Sequence, residues 1–154
     1  SFNQVGAFMA AWVIGYGIVQ ASAPKFVKKS GATHASKAAF VWGLVLTLIA
    51  VTIALLVQLD QFFLYAVLGG LLIYGIVFAI NSALHSYLIL AFTDDDQVSL
   101  NVGFYYMANA CGRLLGTLAS GLSYYCGGLP ACLWVSAAML AVTSCITIRL
   151  PRNS

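Results

Sequence analysis

Asn101-Val-Gly-Phe-Tyr-Tyr-Met-Ala-Asn-Ala-Cys-Gly-Arg-Leu-Leu-Gly-Thr-Leu-Ala-Ser-Gly121 has the length and apolarity of a membrane-crossing helix, with one arginine, Arg113, near its middle. At about 1.5 Å per residue, Arg113 lies roughly 18 Å beyond Asn101, in a hydrocarbon layer about 30 Å thick. A guanidinium at that depth costs at least about 2.5–3.5 kcal/mol unless it faces protein, water or an anion. Tyr106, Asn109, Arg113 and Thr117 recur at three- and four-residue spacing and so share one helical face. A second face carries Ala108, Gly112, Gly116 and Ser120, a small-xxx-small series that predicts close approach of a neighbouring backbone.

Composition extends this reading to the whole chain. Its 154 residues are 62% hydrophobic and 7% charged, the profile of an integral membrane protein. Nothing alternates with the period of a membrane β-barrel, so the expected class is an all-α polytopic membrane protein. The net charge of +3 is slight and sits beside the spans, which points away from nucleic acid. Cys111, Cys126, Cys132 and Cys145 lack CxxC spacing and read as small buried hydrophobes, with no disulfide, metal or other cofactor expected.

Outward from the arginine stretch, five spans are expected: A at about 4–23, stopped by Pro24; B at about 38–58; C at about 61–92; D at about 98–125; and E at about 129–149. Gly127-Gly128-Leu129-Pro130 reads as the tight turn between D and E, with Pro130 near the start of a helix, where proline is tolerated. Asp94-Asp95-Asp96 reads as a solvated loop or N-terminal cap for D, where negative charge suits the helix dipole, in preference to a metal site.

Orientation follows the basic residues. Lys25, Lys28, Lys29 and Lys37 border the A–B connection, and Arg149 and Arg152 lie near the C-terminus, so that side is expected to be cytoplasmic. Ser1 then lies outside. With no basic n-region and apolar stretch of a signal peptide in view, further spans are expected before it.

Polarity divides the spans. B has only Thr47 and Thr52 within an apolar run, and E has Ser136, Thr143 and Ser144, both compositions of lipid-facing helices. A carries Trp12, Tyr16 and Gln20 at i, i+4 and i+8; C carries Tyr74, Asn81 and His85; D carries the Arg113 face. Counted from the cytoplasmic ends, Asn81 lies roughly 16 Å deep, His85 roughly 10 Å, Asn109 and Tyr16 roughly 12 Å, and Arg113 roughly 18 Å. If A, C and D face one cavity, these groups converge near the midplane.

Three segments also carry a family resemblance: Trp12-Val-Ile-Gly-Tyr-Gly-Ile-Val-Gln20, Asn81-Ser-Ala-Leu-His-Ser-Tyr87, and Val98-Ser-Leu-Asn-Val-Gly-Phe-Tyr-Tyr-Met-Ala-Asn-Ala-Cys-Gly-Arg-Leu-Leu-Gly-Thr117. They closely resemble the organoarsenical efflux permeases (ArsJ type) of the major facilitator superfamily, and the likeness covers nearly all of the chain. It implies that the spans correspond to the eighth to twelfth helices of a twelve-helix exporter in the bacterial inner membrane. The eighth, tenth and eleventh of these line the cavity and the ninth and twelfth are peripheral, the order that polarity suggests. The implied substrate is a small anionic organoarsenical, an arsenylated 3-phosphoglycerate. The implied functional partner is a glyceraldehyde-3-phosphate dehydrogenase that couples arsenate to a triose phosphate, so that export confers arsenate resistance. Pro24-Lys-Phe-Val-Lys-Lys-Ser-Gly31 occupies the place of a cytoplasmic loop motif but lacks its acidic-basic signature, so no gating role is assigned to it.

Arg113 is the leading substrate-binding candidate. A guanidinium offers a planar fork to phosphate, arsenate or carboxylate, and no carboxylate lies inside the spans; a structural arginine paired elsewhere is the alternative. Asn109, Asn81, Tyr106, Tyr16 and Gln20 are further substrate-binding candidates, against roles as interhelical bridges or interface anchors. His85 is the proton-coupling candidate, because imidazole is the side chain whose ordinary pKa, about 6.5, falls in the physiological range. The alternative is a neutral ring bonded to a backbone carbonyl or to Ser82. An intramembrane enzyme is disfavoured: the chain contains no glutamate, and His85 with Arg113 makes no hydrolytic set. The other alternative is a non-catalytic membrane subunit assembling through the Gly112/Gly116 face, or a truncated transporter of unknown substrate.

Overall fold

The computed structural model describes residues 2–22, 31–60, 63–93 and 95–148. Pro24, Lys25, Lys28, Lys29, Gln61, Asp94, Arg149 and Arg152, which set span ends and orientation in the sequence reading, lie outside the described residues. The described chain is all-helical. It comprises α1 (Phe2–Ser22), α2 (Gly31–Gln58), α3 (Phe63–Ala91), a short 3₁₀ turn (Asp95–Gln97) and α4 (Val98–Thr147). All four α-helices are long and apolar enough to cross a membrane. Helix is the form that satisfies every backbone N–H and C=O within its own segment where no water is present. Hydroxyls follow the same economy: Thr47, Thr52, Ser86, Thr117, Thr143 and Thr147 each donate to the carbonyl four residues earlier.

Several boundaries differ from expectation. α2 begins at Gly31 instead of near residue 38, because Ala32-Thr-His-Ala-Ser36 continues the helix. The cap position is Gln97 (φ −115°, ψ 3°), which makes no side-chain cap hydrogen bond, while Asp95 and Asp96 lie in the preceding 3₁₀ turn.

Spans D and E fall within one 50-residue helix, α4, with non-helical backbone at Gly127 (φ −156°, ψ 19°) and Gly128 (φ 66°, ψ −159°). The thiol of Cys132 reaches the Ser120 carbonyl oxygen at 3.3 Å across twelve residues, which a straight helix would hold about 18 Å apart. The chain therefore doubles back at the glycines. Gly128 has a backbone conformation open almost only to glycine, and Pro130 begins the returning limb.

The packing order follows from paired residues. α2 and α3 form an antiparallel pair around Asp60, whose φ of 52° ends α2 in the left-handed region. Ala35, Ala39, Leu84 and Leu88 form a buried cluster at one end, and Ile53 packs on Gly70 toward the other. α1 runs parallel to α3, with Trp12 against Leu71 and Gly75 and Tyr16 against Phe78. The first limb of α4 runs antiparallel to α3, joined by Ser86–Tyr105 (3.2 Å) and Asn101–Thr93 (3.3 Å). Its second limb returns along α2, with Trp134 Nε1 donating to Gln58 Oε1 (2.9 Å) and Ser144 seated on Gly43.

The packing corrects two expectations. Span B was expected to be lipid-facing, yet α2 is the most buried helix of the described chain. Ala35, Ala39, Leu46, Ala50, Ile53, Ala54 and Val57 are all buried. Its alanines leave room for α3 on one side and the returning limb of α4 on the other. Close backbone approach was expected at Gly112 and Gly116, yet a Cβ there would meet nothing within 4 Å. The glycine notches filled from another helix are Gly43 by Ser144, Gly70 by Ile53 and Gly75 by Trp12.

Candidate functional site

The Arg113 face is open. Tyr106, Asn109, Arg113 and Thr117 are all exposed. Among the described residues the guanidinium has no ion-pair or hydrogen-bond partner; the Arg113 main-chain oxygen alone is engaged, accepting from Thr117 Oγ1 at 2.8 Å. No carboxylate occurs within α1, α2, α3 or α4: Asp60 follows α2, and Asp95 and Asp96 precede α4. Tyr106 is 65% exposed and tilts against Tyr105 at 5.6 Å.

α1 and α3 build a different surface. Trp12, Tyr16, Phe78 and Tyr74 form a continuous stack of four rings, with successive centroids 5.8, 5.9 and 5.9 Å apart. Tyr16 therefore sits half-buried in an aromatic seam between two helices, stacked with Trp12 and with Phe78. Gln20, one turn further along α1, is half-buried and joins none of the stacked rings.

Asn81 and His85 continue the Tyr74–Phe78 face of α3 at four- and three-residue spacing. Both are half-buried. His85 Nδ1 donates to the Asn81 main-chain oxygen at 2.9 Å, not to Ser82. Asn81 Oδ1 is buried and accepts from none of the described residues. An amide oxygen in that condition costs roughly 1–3 kcal/mol.

The structure thus brings together Asn81 with His85, and Tyr16 with the rings of α3. It joins neither group to Arg113, Asn109 or Tyr106 by a hydrogen bond or ion pair among the described residues. Among the described residues, the side-chain hydrogen bonds between the α3 side and the first limb of α4 lie near one end, at Ser86–Tyr105 and Thr93–Asn101. Arg113 lies eight residues beyond Tyr105, about 12 Å farther along the helix.

Sequence reading missed Ser86, Thr93 and Asn101 as bridging residues. A signal for them exists: in an antiparallel pair joined by a short connection, residues equidistant from the turn face each other. Ser86 with Tyr105 and Thr93 with Asn101 are nearly equidistant from the Asp95–Gln97 turn. The cysteines also depart from expectation: Cys111, Cys126 and Cys145 are exposed and Cys132 is half-buried, all as free thiols. Their small apolar side chains suit an outward face of a membrane helix as well as a core.

Comparison with models of known protein families, with curated proteins and with solved structures finds no match to this chain.

Proposed function

We propose that this chain is part of a secondary transporter that exports a small organic anion by alternating access, with Arg113 as the anion-binding residue. The observation that carries the reading is the guanidinium itself: a permanent charge midway along the apolar first limb of α4, exposed, with no carboxylate within α1, α2, α3 or α4. Such a group is tolerated where an aqueous path brings it an anion. Five membrane spans follow if the two limbs of α4 each cross, and the basic residues then lie on the cytoplasmic side. By the resemblance to organoarsenical efflux permeases, the cargo is an arsenylated 3-phosphoglycerate supplied by a glyceraldehyde-3-phosphate dehydrogenase in a bacterial inner membrane. By the same resemblance, the carrier is completed by further helices of the transporter.

Asn109 and Tyr106 lie on the Arg113 face and hydrogen-bond the cargo beside it; Asn81, Tyr16 and Gln20 line the opposing wall, and His85 carries the coupling proton. The test is export by the full polypeptide carrying Arg113→Ala. Loss of arsenate resistance with normal membrane insertion is expected, and retained resistance would remove Arg113 from the substrate site.

A second reading, a non-catalytic subunit, draws on the open face at Gly112 and Gly116, where another membrane helix has room to approach. Leucine at either position would then abolish assembly, whereas the transport reading places no such demand on that face.

A further inference from the structure

Lys37 marks one edge of a membrane span. No charged residue follows it until Asp60, and at about 1.5 Å per helical residue the two stand roughly 35 Å apart, a little more than a hydrocarbon layer of about 30 Å. An ammonium at that edge lies at the level of the lipid headgroups.

The buried polar side chains gather behind it. Ser36 (4% exposed), Ser144 (2%) and Thr147 (7%) are the buried polar residues of the described chain. All three lie where α2 meets the end of the returning limb of α4, Ser144 on Gly43 and the other two around one cleft. The Thr147 hydroxyl spends its proton on the Thr143 carbonyl oxygen at 2.9 Å and keeps only lone pairs for a further partner. The Ser36 hydroxyl has no partner among the described residues. Burying it unpaired costs free energy unless a group from outside the chain bonds it.

The cleft that Ser36 and Thr147 line has a volume of about 260 Å³, and Lys37, Phe40 and Val41 complete its walls. Lys37 is exposed and pairs with no carboxylate among the described residues. The lining changes along α2: Ser36 and Lys37 stand at the outer end, and Phe40 and Val41 lie one helical turn deeper in the span. Hydrogen-bond donors and a positive charge at headgroup level, with apolar side chains beneath them, match the polarity of a phospholipid. A free anion would match the donors alone.

We propose that this cleft is a phospholipid site. The Lys37 ammonium and the Ser36 hydroxyl take the lipid phosphate, and the start of an acyl chain lies against Phe40 and Val41. Thr147 Oγ1 accepts from a donor on the headgroup. These contacts favour phosphatidylglycerol, which is anionic and carries hydroxyls, over phosphatidylcholine, which has neither net charge nor donor. The site requires only that the helices cross a bilayer, so it and the anion-carrier reading fail separately.

The experiment is native mass spectrometry of the full polypeptide released from nanodiscs of equal parts phosphatidylglycerol and phosphatidylcholine, which counts the lipids retained. Preferential retention of phosphatidylglycerol is expected. Lys37→Gln should lower it about fivefold, and Ser36→Ala should lower it as well. Lys25→Gln, which removes the same charge elsewhere in the chain, should leave it unchanged. Lys37 is exposed and the Ser36 hydroxyl is unpaired, so neither change removes a bond within the described chain; helix content by circular dichroism checks that both variants fold. Equal retention of the two lipids, or retention unaffected by Lys37→Gln and Ser36→Ala, overturns the proposal. So does an equal loss with Lys25→Gln, which would mean diffuse attraction by basic residues, or retention of added inorganic phosphate in place of the lipid.

Discussion

Trp12 and Gly75 interlock: a Cβ on Gly75 would stand 2.7 Å from the indole Nε1 and 2.8 Å from Cε2, and the same Nε1 donates to the Leu71 carbonyl at 2.8 Å. α1 is held to α3 through this notch and the ring stack beside it. Gly75→Ala should therefore loosen α1, at an overpacking cost of about 1–3 kcal/mol. Trp12→Phe should cost about 1 kcal/mol for the lost hydrogen bond while keeping the stack. Both are measured by denaturation in mixed micelles. Equal stability of Gly75→Ala and wild type would show that the notch does not hold the seam.

Ser144 and Gly43 offer a cleaner coupling. A Cβ on Gly43 would meet Ser144 Oγ at 2.6 Å but Ser144 Cβ at an ordinary 3.6 Å. Ser144 Oγ is also buried without a partner among the described residues. Gly43→Ala alone should destabilise by about 1–3 kcal/mol. Ser144→Ala should be neutral or stabilising, since it removes an unsatisfied hydroxyl. The double variant should recover most of the loss, a coupling of about 0.5–3 kcal/mol in a double-mutant cycle. Additive effects would contradict the contact.

The reversal in α4 depends on Gly128. Its φ of 66° and ψ of −159° admit a side chain only at a cost of about 1–3 kcal/mol. In a background with Cys111, Cys126 and Cys145 changed to alanine, Ser120→Cys should form a disulfide with Cys132 on oxidation. Adding Gly128→Ala should slow that reaction several-fold. Undiminished cross-linking would mean that the limbs meet without this conformation.

Gly112 and Gly116 should behave in the opposite sense. With nothing within 4 Å of an added Cβ, alanine at either site should stabilise this chain by about 0.5–1 kcal/mol through helix propensity. Destabilisation of the full polypeptide by the same changes would reveal a helix seated on that face.

Much of this was legible in one dimension. Apolar runs of sufficient length announce membrane helices, and Gly127-Gly128 with Pro130 marks where α4 turns back. The helical spacing of Tyr74, Asn81 and His85 puts them on one face whatever surrounds them. Other features were not legible. Gly43 and Gly75 look no different in sequence from Gly112 and Gly116, because a notch is made by the residue that enters it from another helix. The orphaned oxygen of Asn81 was equally invisible, since burial of an atom depends on its neighbours. The ring stack that holds Tyr16 was invisible for the same reason.

The chain alone therefore determined that it is helical, apolar enough for a membrane, and burdened with a cation in its most informative helix, because these depend on composition and local period. Tertiary structure decided which faces close: α2 inward through its alanines, α1 onto α3 through a tryptophan, and the Arg113 face left open. Such choices depend on shape matching between residues far apart in sequence, and no local pattern encodes the partner.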